Sequence, residues 1–376
     1  MTEPVPRSTS PRIHHPLPRG PRDTAAWLTP WVIVIVSGYL LDVLGMPVAW
    51  LIGPMIASVV LALRWRPPEP NPTFVFTGVQ AVIGIALSAS FSVDALKPLV
   101  SHWHIIMVTI VLVLGISIIA GVALGRMASL DSATASLGTV PGGASGMVAM
   151  SEELGADPRI VAFMQYTRVV IVIITIAILA RLVGEESETA LALGETDAPL
   201  SPALQLLIAP VMALAGIWLG KRFRLPSGAL IGSIFVGMMV GVSGWGPITF
   251  PPIVLAGAYL LLGARIGSRF DPAVLRRIRD LLPYVIGFIS LMSVVSAGLG
   301  WVLAEVTGID LITALLATSP GGMDGAMIAA LDTGANVALV LAVQISRLLL
   351  MVLAGPLIVR RLVRRSDSVA HPERYD

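Results

Sequence analysis

Residues 131–168 read DSATASLGTVPGGASGMVAMSEELGADPRIVAFMQYTR, and residues 310–347 read DLITALLATSPGGMDGAMIAALDTGANVALVLAVQISR. At a shift of 179 the two stretches share 14 identities in 38 positions, without a gap. The identities include Asp131/Asp310, Pro141-Gly142-Gly143/Pro320-Gly321-Gly322, Gly146/Gly325, Gly155/Gly334, Gln165/Gln344 and Arg168/Arg347. A shared apolar bias would align Leu with Val. It would not place Pro-Gly-Gly, Gln and Arg in register. The chain is therefore internally duplicated. The same shift holds from Pro47/Pro226 onward, through Leu51-Ile52-Gly53/Leu230-Ile231-Gly232, Gly78 and Gly84 against Gly257 and Gly263, and Phe91/Phe270.

The surroundings of these two modules are apolar. Of 376 residues, 55% are hydrophobic and 13% are charged, and the mean hydropathy is +0.85. An average soluble domain carries about 25% charged residues. One or two soluble cores could not hide this much apolar surface. The composition predicts an all-α polytopic membrane protein. Apolar windows predict helices at about 27–45, 47–64, 73–91, 104–126 and 158–182 in the first half. In the second half they predict helices at about 202–220, 226–243, 251–268, 282–304 and 337–360. Pro47 and Pro226 stand at the start of the second helix of each half, where a missing N–H does no harm. Segments 92–102 and 271–281 are short and amphipathic and read as interfacial.

The same pass divides the chain. Residues 1–25, with six prolines and four arginines, read as a disordered basic tail. Membrane repeat 1 spans 26–183 and membrane repeat 2 spans 200–363. Between them, 184–199 carries five acidic and no basic residues and reads as an external linker. Residues 364–376 form a second tail.

The basic residues set the orientation. With ten spans, cytoplasmic termini and both Pro-Gly-Gly segments entering and leaving on one side, 21 of the 25 Lys and Arg fall at the inner edge. Only Lys97 and Arg181 fall outside, and Arg168 and Arg347 lie within spans. This is a strong positive-inside asymmetry. Counting 131–154 as a full crossing would move Lys221, Arg222 and Arg224 outside, so the hairpin reading is favoured. Five spans per half is odd, so the two homologous halves are expected to be inverted, as in many secondary transporters.

Within each module, Asp131 and Asp310 stand at N-cap positions. Pro-Gly-Gly then interrupts a short helix, and a second short helix follows until Gly155 or Gly334. Asp157 and Asn336 are placed to cap the last span. Irregular backbone at membrane depth is tolerated where it is buried in protein or lines a wet cavity. The second short helices present free N–H groups and positive dipole ends near Gly143 and Gly322. Two such ends make an anion or polar-solute site, or else Pro-Gly-Gly forms only a tight packed hairpin. Arg168 and Arg347 lie mid-span, where a charge costs about 2.5–3.5 kcal/mol on insertion scales. Gln165 and Gln344 precede them by three residues, on the same helix face. Either these pairs hold a ligand or they tie down hairpin carbonyls. Asp324, opposite Ser145, breaks the symmetry and can bind a proton or cation or pair with an arginine. Glu152 and Glu153, against Leu331 and Asp332, are expected to be solvated at the hairpin edge.

Several chemistries are excluded or unsupported. There is no cysteine, hence no disulfide, thiol nucleophile or Cys-based metal site. The five histidines sit in the tails (His14, His15, His371) or at His102 and His104 near an outer interface, so a metal centre is unsupported. No GxxxxGK[ST] loop exists for an ATP-driven pump. No cofactor and no enzymatic activity are expected. Scattered basic residues do not make a nucleic-acid face.

The twice-repeated Pro-Gly-Gly and Gln-x2-Arg modules, covering about residues 30–362, resemble the AbrB-type membrane protein family of bacteria. That family is distinct from the small DNA-binding protein of the same name. Its members carry labels such as regulator and ammonia monooxygenase. The resemblance implies a multi-pass inner-membrane protein linked to regulation of gene expression. The family's late proline in the last span is present as Pro356, but Ala177 stands at the matching position in the first half. The monooxygenase label finds no ligands in this sequence. The expected function is a secondary-transporter-like permease for a small polar or anionic solute, held by Pro141, Gly142, Gly143, Gln165, Arg168, Pro320, Gly321, Gly322, Asp324, Gln344 and Arg347. The alternative is a membrane sensor that alters expression without transport. The implied partners are the bilayer and the solute, with no direct nucleic acid; a homo-oligomer fits either reading.

Overall fold

The computed structural model describes residues 21–64, 73–90, 93–128, 130–140, 147, 151, 155–183, 201–223, 225, 227–241, 243 and 248–350. The first Pro-Gly-Gly (141–143), the 184–199 linker, most of both tails and the end of the last span lie outside these residues.

Among the described residues the chain is helical and has no strand. The first half contains α1 (Pro21–Val43), α2 (Ala49–Arg64), α3 (Thr73–Ser88), α4 (Val93–Ser101), α5 (Trp103–Met127), α6 (Ser132–Thr139) and α7 (Pro158–Val183). The second half contains α8 (Pro202–Arg222), α9 (Gly228–Val240), α10 (Pro252–Gly267), α11 (Pro272–Arg277), α12 (Leu282–Thr307), α13 (Leu311–Thr318), α14 (Met323–Asp332) and α15 (Val337–Leu350). Helices stand at all ten apolar windows. Three of them, α5, α12 and the Pro158–Leu179 stretch of α7, are long and apolar enough to cross a membrane. The 16-residue helices α2, α3 and α10 span only about 24 Å at 1.5 Å per residue. Helix α2 starts two residues after Pro47, not at it. Val48 between them takes a left-handed φ of 58° and supplies the carbonyl that opens the helix.

Packing repeats with the sequence. Helix α2 lies on α10, and its repeat mate α9 lies on α3, the mate of α10. Each half thus completes the other. The α1–α2 contact recurs as α8–α9, and α5–α6 recurs as α12–α13. The crossings are close because glycines sit in them. A Cβ at Gly84 would stand 2.4 Å from the Leu230 carbonyl oxygen, and one at Gly263 would stand 2.3 Å from that of Leu51. The outer faces of α5, α8 and α12 expose large apolar side chains, including Val108, Ile119, Leu214, Trp218 and Val294. Such a surface is an aggregation liability in water and suits a lipid environment.

Candidate functional site

The two modules share most of their tying hydrogen bonds. The Asp131 carboxylate accepts from Thr134 N–H at 2.7 Å, and that of Asp310 accepts from Thr313 N–H at 2.8 Å. These are the caps expected of both residues. The Thr134 and Thr313 hydroxyls then accept from Asp157 and Asn336 N–H at 2.9 and 2.8 Å. Each threonine therefore ties the start of its hairpin to the start of the long helix that follows. The sequence reading passed over this pair, although Thr134/Thr313 is one of the repeat identities. Asp157 and Asn336 cap α7 and α15 as expected, through Ile160 and Leu339 N–H. Gly155 and Gly334 end the hairpins with φ of 71° and 69°.

Gln165 and Arg168 reach back to the end of α6. Gln165 Nε2 donates to the carbonyls of Leu137 (2.6 Å) and Val140 (3.1 Å). Arg168 Nη1 donates to Thr139 (3.3 Å) and Val140 (3.0 Å), and Nη2 donates to Gln165 Oε1 at 2.7 Å. In the second half, Gln344 Nε2 donates to Leu316 O at 3.0 Å and Arg347 Nη1 to Ser319 O at 2.5 Å. Arg347 Nη2 donates to Gln344 Oε1. The last carbonyls of a helix have no partner of their own and carry its negative dipole end. A guanidinium satisfies both needs. Each arginine thus ties down hairpin carbonyls, one of the two roles the sequence left open.

That role does not exhaust Arg168. It is 2% exposed, and its Nε has no hydrogen-bond partner among the described residues. Arg347 is 5% exposed, and the two guanidiniums lie within electrostatic range of each other. Among the described residues their hydrogen-bond partners are carbonyl oxygens and glutamine oxygens. The second Pro-Gly-Gly packs on α7 beside Arg168. A Cβ at Gly321 would stand 2.8 Å from Val172, and one at Gly322 would stand 3.2 Å from Val169. Helix α14 begins there without a side-chain cap. Gln165, Arg168, Gln344, Arg347, Pro320 and Gly321 are therefore buried, and Gly322 is half-buried. Asp324 lies in the first turn of α14; its side chain is outside the described set. Pro141, Gly142 and Gly143 are also outside it.

Glu152 and Glu153, expected to be solvated at the hairpin edge, lie outside the described residues. Their repeat counterparts, Leu331 and Asp332, are 5% and 6% exposed. The Asp332 carboxylate accepts from Val48 N–H and caps the first turn of α2. The contact spans 284 residues and joins the second hairpin to the first half. Asp332→Ala should cost about 2 kcal/mol, at the upper end for a lost cap. Asp332→Asn, which keeps an acceptor but not the charge, should cost about half of that. Thermal melts of purified protein in detergent check both. Equal melting points for wild type and Asp332→Ala would remove the cap's contribution.

This arrangement defines a duplicated, membrane-type protein, helical over the described residues, with an arginine bound to the carbonyl end of a short helix in each half. The comparisons agree. Residues 50–363 match the family described as transition state regulatory protein AbrB, and the chain belongs to that family. It is 34% identical over 336 residues to a protein of Escherichia coli (strain K12) provisionally named a regulator, AbrB. That match covers 88% of this chain and 95% of the relative. It is also 29% identical over 358 residues to a protein of Bacillus subtilis (strain 168) named YhjN and described as uncharacterised, covering 88% and 92%.

Proposed function

We propose that this AbrB-family protein is a secondary-transporter-like permease of the bacterial inner membrane for a small polar or anionic solute. The single observation behind this is the buried Arg168, whose Nε has no partner among the described residues, near the start of α14 and within range of Arg347. Two like charges in a dry interior favour an anion, and a free helix N-terminus adds donors. The matched hydrogen bonds of the two modules support a pair of repeats with comparable roles. In this reading the repeats are inverted, five spans each, with both termini in the cytoplasm. Access to the site alternates as one repeat moves against the other.

Two measurements test it. Reporter fusions at Glu188 and Arg365 should mark opposite sides of the membrane; the same side for both would remove the inversion. Proteoliposomes should take up an organic anion against an outward gradient of the same anion, and Arg168→Gln should abolish this uptake. The relative's regulatory name favours a second reading, a sensor that binds the solute without moving it. That reading predicts binding and an expression phenotype with no flux.

A further inference from the structure

A cavity lies along the first turns of α7. It measures about 510 Å³, within the range of small-ligand sites. Its walls are one face of α7 (Arg159, Phe163, Tyr166) and the turn into α11 (Arg269, Asp271). Phe163 is buried and meets Phe270 edge-to-face, with ring centroids 5.5 Å apart. The Arg269 guanidinium stands 5.9 Å from the Tyr166 ring centre. Arg265 lies within electrostatic range of both Arg269 and Tyr166. Among the described lining residues the one carboxylate, Asp271, accepts from Ala273 N–H at 2.7 Å. Two guanidiniums thus face the cavity from opposite elements, over an aromatic wall.

The duplication separates scaffold from specialisation here. The residues that build the hairpins recur in both halves. Those that build this cavity do not. At a shift of 179, Arg159 becomes Ala338, Phe163 becomes Ala342 and Tyr166 becomes Ile345. Arg265, Arg269 and Asp271 correspond to Ala86, Ser90 and Ser92. At these six positions every charge and ring is missing from the other half, although Phe270 recurs as Phe91, so the shared fold does not require the six.

We infer that this cavity binds an organic anion with a flat apolar body, its anionic group between Arg159 and Arg269 and its body against Phe163 and Tyr166. Planar guanidiniums match carboxylate and phosphate oxygens and also stack on rings. The anionic oxygens alone are offered both by a water-soluble aromatic acid and by an anionic lipid headgroup, and only the former has the flat apolar body. The site goes beyond the permease reading and stands whether or not the protein transports.

The test uses the full chain in phosphatidylcholine nanodiscs with benzoate as probe, benzyl alcohol as its neutral shape match, and phosphatidylglycerol nanodiscs as the lipid arm. The variants Arg159→Ala, Arg269→Ser and Tyr166→Ile each install the residue the other half already carries, and Arg159→Lys and Arg269→Lys guard against misfolding. Benzoate should bind, benzyl alcohol should bind at least tenfold more weakly, and each arginine truncation should weaken benzoate about tenfold. If phosphatidylglycerol instead raises the melting point of the wild type but not of Arg159→Ala/Arg269→Ser, the occupant is a lipid headgroup: the anion site stands and the flat apolar body is overturned. Equal behaviour of wild type and the double variant in both arms overturns the proposal. So does equal binding of benzoate and benzyl alcohol, or benzoate binding that depends on Arg168 and Arg347 rather than on Arg159 and Arg269. That last pattern would leave the permease reading intact, whereas loss of uptake without loss of benzoate binding here would not touch this site.

Discussion

Arg168→Gln is expected to lower stability by about 2 kcal/mol, and Arg347→Gln by about half as much. The ranking follows from the bonds. Arg168 serves two carbonyls and a glutamine, and Arg347 serves one carbonyl and a glutamine. An orphaned buried acceptor costs about 1–3 kcal/mol, partly offset because the folded interior no longer holds two like charges within range of each other. Lysine keeps the charge without the planar fork, so Arg168→Lys should recover only part of the loss. The double variant separates the two roles. If the guanidiniums only repel each other, each single substitution removes that repulsion, and so does the double, but only once. The double variant then loses more than the sum of the singles. If one anion bridges them, each single substitution already destroys the bridge, and the double loses less than the sum. Melting points of the four proteins, with and without an added organic anion, give the sign of this coupling. A sign that stays unchanged when anion is added would sink a shared ligand.

How much of this was legible in the sequence depends on distance along the chain. The helices followed from hydropathy, and their ends from Asp131, Asp310, Gly155 and Gly334. The Gln-x2-Arg pairs were placed on one face by helical spacing alone. What their side chains touch was not readable, because the carbonyls of Val140 and Ser319 lie 28 residues away. The cap that Asp332 gives to α2 was not readable, because its partner Val48 lies 284 residues away in the other half. The cavity at Arg159 and Arg269 was missed because its residues were counted only as positive charges at a membrane edge. Its signal was present as an absence: these charged and aromatic positions fail to repeat.

The helix crossings that join the halves carry the other large effect. Gly263→Val is expected to cost about 3 kcal/mol, and Gly84→Val a similar amount. A new Cβ would lie 2.3 or 2.4 Å from a backbone oxygen of the opposite half, Leu51 or Leu230. That oxygen cannot rotate away as a side chain would, so α10 must lift from α2, or α3 from α9. Overpacking of this kind costs about 1–3 kcal/mol, and a β-branched side chain meets the upper part of that range. Gly78 and Gly257 supply the control. They are also matched across the repeat and lie in the same two helices, yet a Cβ at either meets nothing within 4 Å. Gly78→Ala and Gly257→Ala should therefore stabilise by about 0.5–1 kcal/mol, through helix propensity alone. Urea or thermal unfolding of the four variants in one detergent decides the matter. If all four glycines respond alike, the close crossings do not hold the halves together. If only Gly84 and Gly263 lose stability, the halves are joined through α2–α10 and α3–α9, and any movement of one repeat against the other must pivot on those contacts.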